Sequence, residues 1–296
     1  AVKALEEALV RRGEPGRIEM SKLIPGIYVP RYEIQEYKLV SIIIPTRNLG
    51  QMLDVCLKSI FEKTTYPNYE VVLLDNGSDE PESLNIIQGW KEKEPKKFKH
   101  ILYDVPFNYS SINNYAASQA SGDFFLFLNN DTEIITPDWI EGMVEQAQRS
   151  SIGAVGAKLY YEDDTLQHGG VVLGIGDAAD HRHRHFPRDS YGYVGQLIAV
   201  NNYSAVTAAC LMCRKEVFKS VGGFEEALSV AFNDVELCIR IQDAGYNNVW
   251  LPHVELYHYE SKSRGYEDTP EKTQRLQREA SILRDRWGSV IANDPC

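Results

Sequence analysis

The chain has 296 residues, 43% of them hydrophobic and 25% charged, which is material for one large α/β domain with extensions at both ends. A formal net charge of -11 argues against a nucleic-acid partner, which would normally show as a basic patch or stripe, and an anionic small ligand would then need local cations or a bound metal. No run approaches the roughly 20 apolar residues of a membrane span, and the scattered Cys56, Cys210, Cys213, Cys238 and Cys296 form neither a disulfide framework nor paired zinc motifs.

In chain order, residues 2–12 read as a short amphipathic helix and 13–37 as a wrapped linker. Residues 40–44 are a β-branched run ending at Pro45, after which Leu53, Cys56, Leu57, Ile60 and Phe61 recur at helical spacing. The unit repeats: 69–74 is apolar and ends in Asp75-Asn76-Gly77-Ser78, ahead of a helix carrying Leu84, Ile87 and Trp90. Residues 101–105 give a third strand, 112–120 a helix closed by Gly122, and 124–128 a fully apolar fourth strand. β/α units in series predict a parallel, doubly wound sheet. Thr136-Pro137-Asp138 predicts a helix start, with Thr as N-cap and Pro at the first position, running to about residue 149. Beyond it, strands at 155–161, 171–175 and 205–213 predict a mixed second half. A helix over 234–244, short strands at 249–251 and 254–257 flanking Pro252, and a charged helix at 270–287 complete the chain. The expected division is 1–37 helix and linker, 38–266 main α/β domain, and 267–296 helical extension.

In an open parallel sheet, ligands bind beyond the carboxyl ends of the strands. Three polar clusters fall there: Pro45-Thr46-Arg47-Asn48, Asp75-Asn76-Gly77-Ser78-Asp79 and Asn129-Asn130-Asp131. Each is also ordinary turn chemistry. Asp131, delivered by a buried strand, suits a hard cation such as Mg²⁺ or Mn²⁺, which takes one or two protein carboxylates and leaves positions for phosphate oxygens. No GxGxxG or GxxxxGK[ST] is present, so the dinucleotide and P-loop readings lose their support.

The series SIIIPTRN, VVLLDNGSDE, FLFLNNDTEI, VGGFEEALSVAFNDVELCIRIQDAGY and LYHYESKSRG, spanning about 38–266, resembles a bacterial family 2 glycosyltransferase of the GT-A fold. It is most similar to enzymes that build rhamnose-containing surface polysaccharides such as O-antigens. The resemblance implies a mostly parallel central sheet with a mixed second half, and inverting, metal-dependent transfer of a sugar from a UDP- or dTDP-sugar to a glycan or lipid-linked glycan. It implies donor contacts from Pro45, Thr46, Asn48, Asp75, Asn76, Asn129 and Asn130. Asn129-Asn130-Asp131 stands where the family has a metal-binding DxD; the first position is Asn here, so Asp131 is the expected ligand. His258 stands where related enzymes place a metal-binding histidine, and its imidazole would favour Mn²⁺ over Mg²⁺. Lys262 and Arg264 would neutralise the diphosphate from a closing loop, or are solvated surface charges. Asp234 stands at the catalytic base, in a motif usually read Glu-Asp and here Asn233-Asp234; the plainer reading is a helix N-cap. Glu236 could serve instead, although its motif position argues for a structural role. Thr207-Ala208-Ala209-Cys210 and Gly222-Gly223-Phe224 look like segments near the acceptor.

His181, His183 and His185 alternate in HRHRH, a spacing that puts three imidazoles on one side of an extended segment. Arg182 and Arg184 would repel a metal, so a mobile cationic loop near the diphosphate or acceptor is expected there rather than a zinc site. The expected setting is the cytoplasm, with association at the inner face of the membrane left open; the missing initiator Met suggests processing or excision from a longer chain. Two alternatives remain: a sugar nucleotidyltransferase, which should carry a Gly-rich basic signature that PTRNLGQ lacks, and a non-catalytic sugar-binding module, to which the Asn residues at 129 and 233 would belong.

Overall fold

A computed structural model describes residues 1–21, 23–176, 178–260 and 269–295. Strand alternation decides what each face of its sheet buries. Ile42 and Ile44 pack with Leu53, Leu57, Trp90 and Met143 on one face, whereas Ile43 packs with Ile112, Phe218, Leu237 and Leu283 on the other. The elements run α1 Val2–Arg12, β1 Gly16–Met20, β2 Tyr28–Tyr32, β3 Val40–Thr46, α2 Gly50–Lys63, β4 Tyr69–Asp75, α3 Pro81–Lys93, β5 Phe98–Leu102, α4 Tyr109–Gln119 and β6 Phe124–Leu128. There follow β7 Thr132–Ile134, α5 Trp139–Ala147, β8 Ile152–Tyr160, β9 Leu166–His168, β10 Val171–Leu173, β11 Ala179–His181, β12 Asn201–Tyr203, β13 Cys210–Arg214, α6 Lys215–Ser220, α7 Asn233–Asp243, β14 Asn247–His258 and α8 Pro270–Ile291.

Among the described residues ten strands make one sheet, in the order β12-β14-β8-β13-β6-β3-β4-β5, with β7 on β14 and β9 on β8. Strands β6, β3, β4 and β5 are parallel, as serial β/α units predict. β13 runs antiparallel between β6 and β8, and β14 is parallel to β8, so the second half is mixed. The carboxyl ends of β3, β4, β6, β8 and β14 therefore share one edge with the start of β13.

Five local expectations differ from the structure. The third strand is Phe98–Leu102, not 101–105, because Tyr103 and Val105 instead give their carbonyls to the buried Asn76 amide. Helix α5 begins at Trp139; Thr136 is not its cap, since its hydroxyl binds His253 O and Glu255 N across to β14. The run 205–213 is not one strand: β13 covers only Cys210–Arg214, with a turn at 208–209 before it. The 13–37 linker contains the β1–β2 hairpin, which Arg31 clamps to Glu145 of α5 through bonds of 2.7 and 2.8 Å. The two strands around Pro252 are one bulged strand, with the register jumping between Leu251 and Glu255.

That bulge buries both ring nitrogens of His253 without a hydrogen-bond partner. Burial, reinforced by Arg31, pushes its pKa down to about 4 from an ordinary 6.5. The unfolded chain takes up the proton near 6.5 and the folded one only near 4, so stability falls as pH drops through that window. His253→Gln is expected to remove about 3 kcal/mol of this pH dependence between pH 7 and pH 4, read as urea midpoints of the two chains at both pH values.

Helix α8 reaches the loop that leads into α7. Glu279, fully buried, accepts bonds from Ser229 N (3.0 Å), Ser229 Oγ (2.7 Å) and Ala231 N (2.7 Å). Ala280 and Leu283 beside it are core residues. Glu279→Ala strands these donors and is expected to cost about 3 kcal/mol, as a lower urea midpoint with unchanged slope.

Candidate active site

The three polar clusters meet at the sheet edge, and hydrogen bonds tie them together. Thr46 and Asp75 are register partners at the ends of β3 and β4, and Asn130 Nδ2 donates to Thr46 Oγ1 at 2.9 Å. Pro45 precedes Thr46 and faces Leu74. Asp75 is 1% exposed; its Oδ1 accepts from Ser78 N at 2.8 Å, and its Oδ2 lies 3.3 Å from His100 Nε2. Burial alone would raise the pKa of this carboxyl, but the bonds from His100 and Ser78 outweigh it and hold the group below the usual carboxylate range. Asn76 is equally buried, with its amide on the carbonyls of Tyr103 and Val105. Asn48, in a left-handed conformation, donates to Asp79 Oδ1 and accepts from the backbone of Asp79 and Glu80. Asn48 and Asn76 thus shape the loops around the edge, while Thr46, Asp75 and Asn130 line its floor.

Asp131 and His258, distant in sequence, are neighbours because β7 pairs antiparallel with the end of β14 and puts Thr132 opposite His258. Asp131 Oδ1 lies 3.2 Å from His258 Nε2, and the two residues are 4% and 7% exposed. Asn129 Nδ2 also approaches Nε2, at 3.2 Å, while Nδ1 lies 2.9 Å from Gln167 Oε1. An imidazole that donates Nδ1–H presents its Nε2 lone pair beside a carboxylate oxygen, a donor set that suits a divalent cation. Among the described residues no cluster of three His, Cys, Asp or Glu forms. One carboxylate and one imidazole are the kind of sparse protein donor set that a divalent cation held beside phosphates takes.

Asp234 stands in the first turn of α7, where the helix dipole favours a negative charge. It is not the N-cap; Phe232 holds that position. Its Oδ2 accepts from Ala208 N at 3.0 Å and its Oδ1 from Val235 N at 2.8 Å. The carboxyl opens on a cleft of about 430 Å³ also lined by Asn233, His181, Arg184 and Glu260. Glu236 is excluded as an alternative base, because its buried carboxyl holds Arg240, Arg286 and Trp287. Gly223, with φ +75°, sits where a Cβ would meet Asn114 Oδ1 at 2.6 Å, which explains the second glycine of the Gly-Gly pair.

The HRHRH segment is not extended. His183 and His185 have φ of 58° and 63°, so the chain coils and its imidazoles diverge. His181 turns inward, its Nδ1 2.7 Å from His168 Nδ1; His183 packs on Phe186; His185 stacks on Tyr161. The expected alignment of three imidazoles is therefore corrected: His181 alone of the three lines the cleft, beside Arg184. Lys262 and Arg264 lie outside the described residues.

Sequence reasoning missed His100 and Gln167, and met Arg184 only as a cation of HRHRH and Glu260 only as part of the last motif. Gln167 carried a usable signal, being a polar residue in a short Leu-Gln-His run closed by two glycines.

Residues 41–222 match Glycosyl transferase family 2. The chain is 45% identical over 294 residues to an uncharacterized protein, y4gI, of Sinorhizobium fredii, covering 99% of this chain and 32% of that protein. It is 40% identical over 271 residues to the O-antigen biosynthesis protein RfbC of Myxococcus xanthus, covering 91% of this chain and 21% of that protein. The chain thus spans a third or less of these relatives. Among solved structures it is similar to the mannosyltransferase PcManGT of Pyrobaculum calidifontis in complex with GDP-Man and Mn²⁺, with a TM-score of 0.62, 20% identity, and 85% of this chain and 66% of that one covered. It is also similar to GalNAc-T7 with UDP, GalNAc and Mn²⁺, with a TM-score of 0.67, 14% identity, and 86% and 48% covered. These likenesses show the GT-A fold.

Proposed function

Since the chain belongs to glycosyl transferase family 2, we propose that it is an inverting, metal-dependent transferase that moves a hexosyl or deoxyhexosyl unit from a UDP- or dTDP-sugar to a hydroxyl of a glycan or lipid-linked glycan, in O-antigen-type polysaccharide synthesis. The observation that carries this reading is the approach of Asp131 and His258 to 3.2 Å at the same sheet edge as Thr46, Asp75 and the Asp234 cleft. The name of the Myxococcus relative supports the polysaccharide role, and the Mn²⁺ and nucleotide in the two solved neighbours support the donor class.

Asp131 and His258 would hold Mn²⁺ or Mg²⁺, whose charge offsets that of the departing diphosphate. Thr46, Asp75 and the Asn129-Asn130 pair form the floor for the nucleoside. Asp234 takes the proton of the acceptor hydroxyl as that oxygen bonds to the anomeric carbon and the bond from that carbon to the diphosphate breaks, so the nucleoside diphosphate leaves with the electron pair and the configuration inverts. The peptide N–H groups of Ala208 and Val235 hold the Asp234 carboxyl in place for this role. Among the described residues no helix is long and apolar enough to cross a membrane; a cytoplasmic setting remains part of the proposal.

The test is a donor screen with Mn²⁺ and common UDP-, dTDP- and GDP-sugars, following nucleoside diphosphate release with and without glycan acceptors. Release from one donor class supports the transferase and names the donor. Binding without release on any acceptor supports the non-catalytic module instead.

A further inference from the structure

Gln167 is buried on the three-residue strand β9, and both ends of its amide are engaged. Its Nε2 donates to Glu260 Oε2 at 3.1 Å, and its Oε1 lies 2.9 Å from His258 Nδ1. A carboxylate only accepts, so the amide nitrogen must face Glu260 and the carbonyl oxygen must face His258. Glu260 is held in turn by Arg184 Nη2 at 3.2 Å, and Arg184 is anchored on Tyr161 Oη at 2.6 Å. The chain of donors places a proton on Nδ1 of His258, and in the neutral ring Nε2 then turns its lone pair toward the Asn129 amide and Asp131 Oδ1, where a bound cation would take the place of a second ring proton. The other tautomer would aim Nε2–H at that same oxygen and close the space between them with a hydrogen bond.

We propose that Gln167, oriented by the Glu260–Arg184 pair, is a positioning residue that fixes the tautomer and ring orientation of His258 so that Nε2 and Asp131 Oδ1 together take a divalent cation. This rests on the reading of Asp131 and His258 as cation ligands. It also gives the HRHRH segment a role through its second arginine rather than its histidines.

The test titrates Mn²⁺ alone into the full chain, with free Mn²⁺ read by electron paramagnetic resonance, and follows the His258 ring nitrogens by ¹⁵N NMR without metal. Gln167→Leu is expected to weaken Mn²⁺ binding about 10- to 100-fold and to move the proton from Nδ1 toward Nε2. The exchange Gln167→Glu with Glu260→Gln restores an acceptor for Nδ1–H and a donor between the two side chains, and is expected to recover affinity to within a few-fold. Asp131→Asn serves as the reference for the site itself. If Asp131→Asn weakens binding and Gln167→Leu does not, the positioning role is overturned while the cation site stands. If both bind as the unaltered chain does, the cation reading falls with it. Should Gln167→Leu fail to fold, the exchanged pair decides: recovered affinity with an Nδ1 proton supports the role, and weak binding by a folded protein overturns it.

Discussion

An Asp234→Asn chain is expected to lose about 10²- to 10⁴-fold in kcat, with kcat/KM falling in step, while binding Mn²⁺ and nucleoside diphosphate as before. The substitution keeps the shape of the side chain but only one of its two acceptor oxygens, so either the Ala208 or the Val235 amide loses its partner, and unchanged nucleotide binding is the control that the surrounding loops hold. It also removes the capacity to take a proton. Steady-state rates with the donor identified in the screen, beside equilibrium binding of the nucleotide, separate these contributions. A kcat within tenfold of the unaltered chain would move the base to another carboxyl of the cleft, Asp180 or Glu260, both of which line it.

Chelation should abolish donor turnover, and Asp131→Asn should lower it about 10³-fold with Mn²⁺ present, since a cation at the diphosphate contributes several kcal/mol to the transition state. Mn²⁺ should restore the chelated chain better than Mg²⁺, because an imidazole partner is softer than Mg²⁺ prefers. Full turnover in excess chelator would leave Asp131 and His258 as a hydrogen-bonded pair closing β7 onto β14, and the leaving group would need another source of positive charge.

The polar edge at the ends of β3, β4 and β6 was legible because its residues follow local apolar runs: each strand is continuous in sequence and each ends in its polar cluster. Asp131 and His258 could be named from motif positions, but not their contact, which depends on the Thr132 to His258 pairing of strands far apart in the chain. HRHRH was misread because alternation aligns side chains only on an extended backbone, and two of its residues adopt positive φ. The third strand slipped by three residues because Tyr103 and Val105 are strand-forming residues around Asp104, while the carbonyls of those two are claimed by Asn76, a bond that no periodicity reveals. Gln167 and Glu260 were passed over because their meaning lies in the direction of a hydrogen bond.

The buried grip of Glu279 on 229–231 brings the last helix to the loop into α7, so this edge draws on two separate parts of the chain. Thr46, Asp75, Asn130 and Asp131 are drawn from one contiguous stretch, 45–131, whereas the surroundings of Asp234 are gathered from β11, the turn before β13, α7 and the last helix. On the proposed function, the choice of acceptor is thus a distributed property and the choice of donor a local one. Exchanging everything after β8 between related chains should redirect which hydroxyl is glycosylated and leave the nucleotide requirement unchanged, whereas grafting any one of those later segments alone should change neither.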